Sequence, residues 1–503
     1  MNDSCLTIQC WRGGLATTFV ALFLAPALLC APTSRAAAAD TSTSRSVDRS
    51  IDVVISDYVR LGLTSNLALA NQSIEADKAQ TTLQSARARF FPEVSLSARY
   101  TSNSGGREID FPLSQLLNPA YQTLNELLVA SGQAARFPPL SDNSFKLLRS
   151  HEQDTHVALR QPLYAPGLAS SVSAARAGAS AAALGRDALR RQMARDIARA
   201  YLDTEKARSA ATIVDSNLAL LAENLRVNES LYSNGKITQD AVLRARAEWL
   251  AVQQKKVEAR NGVTQAGSYL NFLLNRALAT PVETATLPAL AANGSVVAAQ
   301  EDSPGTESLS SATARAQSRR PELQQLAQAA KASESQLRAA RAQRLPNLTL
   351  GIDSGIQGDN YGIGPRYNYT SGSLLLNWTL FDGTARSAAI SRARLSATQA
   401  RNQREQGEAR VALEVQQAQD ALRVSEQSLA TASARLEAAA AALRIASRKR
   451  DAGTMTQVEF LDASNAATSA ELNLSWTRYD LLQRRADFAY ASGADDIDTG
   501  AQP

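Results

Sequence analysis

Apolar residues recur along this chain with two different periods, and the switches between them set out its elements. Val415, Leu422, Leu429, Leu436 and Leu443 fall every seven residues, with Val411, Ala418, Ser425, Ala432 and Ala439 between them. This 4/3 alternation is a coiled-coil seam with small residues on one of its two rows. It predicts a very long helix that runs into Arg448-Lys449-Arg450-Asp451-Ala452-Gly453-Thr454, a stretch of turn composition. A second helix then returns from Gln457, carrying Phe460 and Leu461.

The same seam occurs earlier. Ile197, Ala200, Thr204, Ala207, Ala211, Val214, Leu218, Leu221, Leu225, Asn228 and Tyr232 keep the alternation. Adding 218 to Ile197, Leu218, Leu225 and Gly235 gives Val415, Leu436, Leu443 and Gly453. One helical hairpin is therefore present twice, and a duplication of this size is the strongest organisational signal in the chain.

Ahead of each hairpin the period drops to two. Residues 50–91 are helical until Pro92, whose ring keeps the preceding residue out of the helical region. Val94, Leu96, Ala98 and Tyr100 then alternate with Ser95, Ser97 and Arg99, the pattern of a strand with one apolar and one polar face. A second strand carries Val157, Leu159 and Leu163 on one side and Ala158 and Arg160 on the other. The second half repeats this. Pro321 opens a helix to about Leu345, and Arg341 to Leu350 resembles Arg87 to Leu96 around Pro346 and Pro92. Leu348, Leu350 and Ile352 alternate with Thr349, Gly351 and Asp353, and Leu374, Leu376, Trp378 and Leu380 alternate with Leu375, Asn377 and Thr379. Asp382 is the expected N-cap of the second long helix. The 104–150 insert, with Gly105-Gly106, Phe111-Pro112 and Phe137-Pro138-Pro139, reads as an elaborated loop with room for a short helix over 116–129.

The expected organisation runs as follows. Residues 1–39 form a signal peptide. The first repeat is 40–278, with strands at about 93–103 and 154–163 and a hairpin over 167–278. A linker over 279–320 follows. The second repeat is 321–492, with strands at about 347–356 and 371–381 and a hairpin over 383–492, and 493–503 is a tail. The shorter helices are expected to stack end to end beside the long ones, 236–278 with 321–345 and 455–490 with 50–91.

Composition narrows the class. Arg12, an apolar run from Leu15 to Leu29 and Ala37-Ala38-Ala39 mark export. All three cysteines (Cys5, Cys10 and Cys30) lie in that segment, so the mature chain is expected to have none; Cys30 after Leu29 is a poor lipidation site. Nothing beyond residue 39 reads as a transmembrane helix. The net charge of +5 is spread out, with no basic block interleaved with aromatics, which argues against nucleic acid as a partner. His151 and His156 read as surface-loop residues, and no phosphate-binding loop, dinucleotide fingerprint or Cys-x-x-Cys is present. We expect no enzyme activity, no cofactor and no metal centre.

Each expected strand is roughly ten residues long, enough to cross a membrane at a tilt. Tyr100, Tyr164, Trp378 and Phe381 stand at strand ends, where aromatic girdles lie. Four strands cannot close a barrel, so closure must be shared between chains. Counting alone allows three copies or four.

These features resemble the TolC family of outer membrane factors over nearly all of residues 50–490. The resemblance is carried by the duplicated Pro-then-strand entry (Pro92, Pro346) and the strand-to-helix joints (Gln161 to Tyr164, Trp378 to Gly383). The tips, Gly235 to Arg246 and Gly453 to Ala463, carry it too. It implies a mostly α protein with transmembrane β: duplicated helix–strand–strand–helix halves, and a trimeric shared 12-stranded β-barrel continuous with a long α-helical periplasmic barrel. It implies the outer membrane as location, with lipid around the strands and most of the helical mass in the periplasm. The implied function is the exit duct of a tripartite efflux or type I secretion system, fed by a periplasmic adaptor and an inner-membrane pump of RND, ABC or MFS type. In the family two acidic residues after the second tip narrow the periplasmic entrance and bind cations. The matching residues are Glu459 and Asp462, three apart and so on one helix face. Arg450 stands where the family has a latch tyrosine, and Asp240 lies one residue off the analogous first-half position. Gly235, Gly453 and Thr454 mark the tip turns where the adaptor is expected. Two other readings compete. A periplasmic adaptor predicts one hairpin rather than two, and an exported coiled-coil structural protein predicts no symmetric strands.

Overall fold

The computed structural model describes residues 49–287, 307–360 and 362–494. The expected signal peptide with Cys30, part of the 279–320 linker and nearly all of the 493–503 tail lie outside them.

The long seams form long helices. Helix α4 spans Pro166–Ser233 and α8 spans Ala385–Asp451, 68 and 67 residues, each about 100 Å at 1.5 Å per residue. The helices α5 (Gln239–Leu273) and α9 (Gln457–Ser492) return along them. Of the two rows, Ile197, Ala200, Thr204, Val214, Leu221 and Asn228 in α4 and Val411, Val415, Leu422, Ser425, Leu429 and Ala432 in α8 are buried, while Tyr232 beside the first tip is exposed. Near the tips, Val214, Leu221, Val252, Ala446, Phe460 and Leu461 form one cluster drawn from all four of these helices.

The shorter helices are α1 (Ile51–Ser65), α2 (Leu67–Ala88), α6 (Leu309–Arg319) and α7 (Pro321–Ala342). Their stacking corrects the expected pairing. The end of α5 meets the α1–α2 junction, where Asn66 Nδ2 donates to the Leu273 carbonyl (2.8 Å) and Ser65 Oγ to that of Leu274 (2.7 Å). The end of α9 meets the α6–α7 junction instead. There Arg315 Nε donates to the Ser492 carbonyl (3.2 Å) and the Tyr490 hydroxyl to Glu322 (3.0 Å). Each returning helix needs partners for its last carbonyls, and side chains at these breaks supply them. Arg191, Arg195 and Arg320 surround the Tyr490 ring at 5.1, 4.4 and 5.3 Å. Burial pushes the Tyr490 phenol up to about 12. Two details refine the expected organisation. The 50–91 helix is broken at Asn66, whose side chain caps α2 through the Ala68 and Leu69 amides, and the linker contains α6.

Among the described residues there are six strands: β1 (Glu93–Ser102), β2 (Glu108–Phe111), β3 (Asn143–Lys146), β4 (His151–Tyr164), β5 (Asn347–Gly358) and β6 (Asn368–Asn377). β1, β4, β5 and β6 form one antiparallel sheet in that order. β4 begins three residues before the expected boundary, and β6 ends at Asn377, before the expected Phe381. The insert is more than a loop. It holds the β2–β3 ribbon and the 18-residue helix α3 (Leu113–Ala130). Thr384, not Asp382, occupies the N-cap of α8, in left-handed backbone and with no capping bond of its own. Asp382 still serves the helix start, accepting from the Arg386 amide (3.1 Å) and guanidinium (2.7 Å).

Candidate functional site

Two regions hold the residues singled out from the sequence: the four-stranded sheet and the paired tips.

In the sheet, register sorts side chains by face. Val94 pairs with Leu159, which pairs with Ile352; Leu96 pairs with Val157; Leu350 pairs with Leu374 and Leu348 with Leu376. These residues share one apolar face, and within a single chain Val94, Leu96, Val157, Leu374 and Leu376 are exposed. The opposite face is polar. Asp154 accepts from the Tyr369 hydroxyl (3.2 Å), contacts His156 Nδ1 (3.0 Å) and lies 3.9 Å from Arg99. Arg160 pairs with Asp353 at 2.7 Å. Leu375, half exposed on this face beside Thr349, is an exception to the alternation.

The histidines are not loop residues as expected; both lie on β4. Five residues apart on a strand, they take opposite faces. His156 joins the polar network, while His151 stacks under Tyr100 with the Tyr100 hydroxyl 3.1 Å from its Nδ1.

The four aromatics separate into two ends. Tyr100 lies near the insert end of the sheet. Tyr164 closes β4 at the helix end, and Trp378 and Phe381 lie just past β6. Trp378 Nε1 donates to the Arg344 carbonyl (3.1 Å), and Phe381 is 85% exposed. Phe90 and Phe91, exposed at the α2–β1 joint, were missed from the sequence. Their position just before Pro92 was the available signal.

At the tips, Gly235 (φ 70°) and Gly453 (φ 68°) follow the ends of α4 and α8 in left-handed backbone, which glycine adopts without steric cost. Each tip closes with the same two bonds. Lys236 N donates to the Leu231 carbonyl and Gly235 N to that of Tyr232; Thr454 N donates to Lys449 and Gly453 N to Arg450, all at 2.9 Å. The next helices start differently. Thr456 and Glu459 form a capping box: Glu459 Oε2 accepts from the Thr456 amide and hydroxyl (both 3.0 Å), and the Thr456 hydroxyl accepts from the Glu459 amide (3.3 Å). The amide bond first, then the hydroxyl bond, hold the Glu459 carboxyl below the ordinary carboxylate range. Thr456-Gln-Val-Glu459 was a readable box signature, but sequence reasoning assigned Glu459 to an acidic ring alone. Asp462 is exposed one turn further on. Arg450 stacks on the fully buried Phe460, 4.3 Å from its ring centre, and bonds Asp451 (2.9 Å). Asp240, exposed at the start of α5, is held below its ordinary range by a hydrogen bond from Thr238, with Arg244 at 3.9 Å.

Among the described residues no group of His, Cys, Asp and Glu is placed to hold a metal ion, and no helix is long and apolar enough to cross a membrane. The second finding says nothing about a β-barrel.

A sequence profile of outer membrane efflux proteins matches residues 59–276 and 312–494. The chain belongs to the outer membrane efflux protein family. It is an outer-membrane protein of efflux. Solved channels share its fold. OprN is 19% identical over 88% of this chain and 91% of its own, at a TM-score of 0.72. The CmeC channel of Campylobacter jejuni is 15% identical over 88% and 86%, at 0.72, and VceC of Vibrio cholerae 16% over 87% and 96%, at 0.70. No curated protein sequence matches the chain.

Proposed function

We propose that three copies close a twelve-stranded barrel, each giving one four-stranded sheet, and that a periplasmic adaptor and an inner-membrane pump deliver cargo to the helical end. One observation carries this reading: the sheet has two free edges, β1 and β6, and an exposed apolar face backed by a charged one. An open edge in lipid leaves backbone donors and acceptors unsatisfied, and pairing β1 with β6 of the next copy removes both edges. The apolar face then meets lipid, with Tyr164, Trp378 and Phe381 near one interface and Tyr100 near the other. The face of Asp154, His156, Arg160 and Asp353 lines the water path. Pumps of the RND, ABC or MFS type, and either drug efflux or type I secretion, fit this duct equally.

The gate belongs to the same reading. Threefold repetition would place Glu459 and Asp462 as stacked acidic rings at the periplasmic entrance, with Asp240 on the first tip and Arg450 in the latch position. Adaptor contact around Gly235, Gly453 and Thr454 would part the tips. The ring is supported by the exposure of both carboxylates and by the low proton affinity of Glu459, which keeps it charged.

Light scattering with size-exclusion chromatography of the protein in mild detergent tests the assembly. A particle of three chains from the outer-membrane fraction is expected, and a soluble single chain would overturn the shared barrel. Conductance across a planar bilayer tests the ring. Replacing Glu459 and Asp462 with alanine is expected to lower cation preference, and unchanged selectivity would remove the ring from the reading.

A further inference from the structure

The insert between β1 and β4 presents an apolar surface that the chain itself leaves uncovered. Helix α3 has no buried residue. Leu116, Leu127 and Val129 are 69, 63 and 61% exposed, and Phe145 and Leu147 at the ribbon are more than half exposed. Yet the insert is firmly folded. Asn118 exchanges two bonds with Leu140, its Nδ2 donating to the carbonyl (2.9 Å) and its Oδ1 accepting from the amide (2.7 Å). One turn pair further along, Asn125 Oδ1 accepts from the Arg136 and Phe137 amides (both 3.1 Å) and its Nδ2 donates to the Phe137 carbonyl (2.7 Å). Asp142 holds the start of α3 through the Ser114 amide (2.8 Å). The two asparagines clamp the returning chain to one side of the helix. Leu116 and Leu127 are each two residues from an asparagine, about 200° round the helix at 100° per residue, and so lie on the opposite side.

Charge argues against a lipid surface as the cover. Glu126 is the one charged residue among the 18 of α3. A helix lying on an anionic leaflet is expected to carry Lys or Arg along its polar face, and this one has none. Position argues for another chain. The insert leaves from the end of β1, a free edge strand, and so stands beside the seam where β1 would meet β6 of the next copy. The β5–β6 connection emerges at that same end of the antiparallel sheet, and its Ile363 is 87% exposed.

We propose that α3 crosses this seam and packs its Leu116/Leu127 side on a second copy of the chain, around Ile363, locking the assembly at the end of the barrel away from the helices. This rests on the shared-barrel reading. The test places a photoactivatable benzoylphenylalanine at position 116 or 127 of the full chain and irradiates the outer-membrane protein. Covalent products at multiples of the chain mass are expected, lost when Ile363→Asp is added. Adducts to lipopolysaccharide, bonds within one chain, or no adduct in a protein of three-chain mass would overturn the proposal and leave the barrel standing. A protein of single-chain mass would overturn both. In parallel, Leu116→Asp with Leu127→Asp is expected to lower the temperature at which three chains dissociate in detergent, with helix content unchanged. An unchanged dissociation temperature would count against the contact.

Discussion

The two tips are built on one turn and fastened in two ways. Gly235 and Gly453 occupy the same left-handed position and close with the same pair of bonds. Beyond that turn they diverge. Thr238 and Thr456 are equivalent at the offset of 218, but Glu459 corresponds to Ala241, so only the second tip has a capping box. Phe460 corresponds to Val242 and Arg450 to Tyr232, so only the second tip has a buried ring under a guanidinium. The turn is what geometry requires of any helical hairpin this tight. The fastenings are free to differ, and at the second tip they add a capping box and a guanidinium stacked on a buried ring.

The largest expected effect separates the tips by core packing. Phe460→Ala removes a fully buried ring from the cluster shared by four helices and is expected to cost about 3–5 kcal/mol. Val242→Ala, at a half-buried site, should cost far less. Thermal unfolding of both variants measures the gap, and equal losses would break the distinction.

The glycines sharpen it from the other side. Gly453→Ala and Gly235→Ala each force a Cβ into left-handed backbone, at about 1–2 kcal/mol. Open space surrounds both positions, so the two costs should match. A large inequality would mean that the turns are not equivalent.

The smallest effect concerns the cap. Thr456→Ala is expected to destabilise the start of α9 by about 1 kcal/mol, and Thr238→Ala less, since Thr238 caps no backbone amide of α5. The Glu459 half of the box also carries a pH signature. Its folded pKa is depressed, so its contribution is present above the unfolded value and is lost as pH falls through the folded one. Protection of the amides at the start of α9, corrected for the intrinsic exchange rate, should therefore fall on acidification, while Glu459→Gln removes that pH dependence. Exchange that is insensitive to pH after correction for its intrinsic rate would refute the cap's role.

Much of this protein was decided locally. The 4/3 seam determined α4 and α8, because a helix exposes the same stripe every seven residues whatever covers it. The period of two determined the faces of β1, β4, β5 and β6, and the offset of 218 determined that each half repeats the other. Gly235 and Gly453 were legible as turns because only glycine takes that backbone freely. Periodicity states which face is buried and not what buries it, and there the sequence reading ended. Tertiary structure decided that α5 abuts α1 and α2 while α9 abuts α6 and α7, since that choice lies in side chains such as Asn66 and Arg315 reaching distant carbonyls. It decided that β4 pairs with β5 across the two halves, leaving β1 and β6 as the edges. It also folded the insert, whose Asn118 and Asn125 bonds span 22 and 12 residues and follow no repeating pattern. Contacts between distant residues depend on where the backbone brings them, and no local period encodes that.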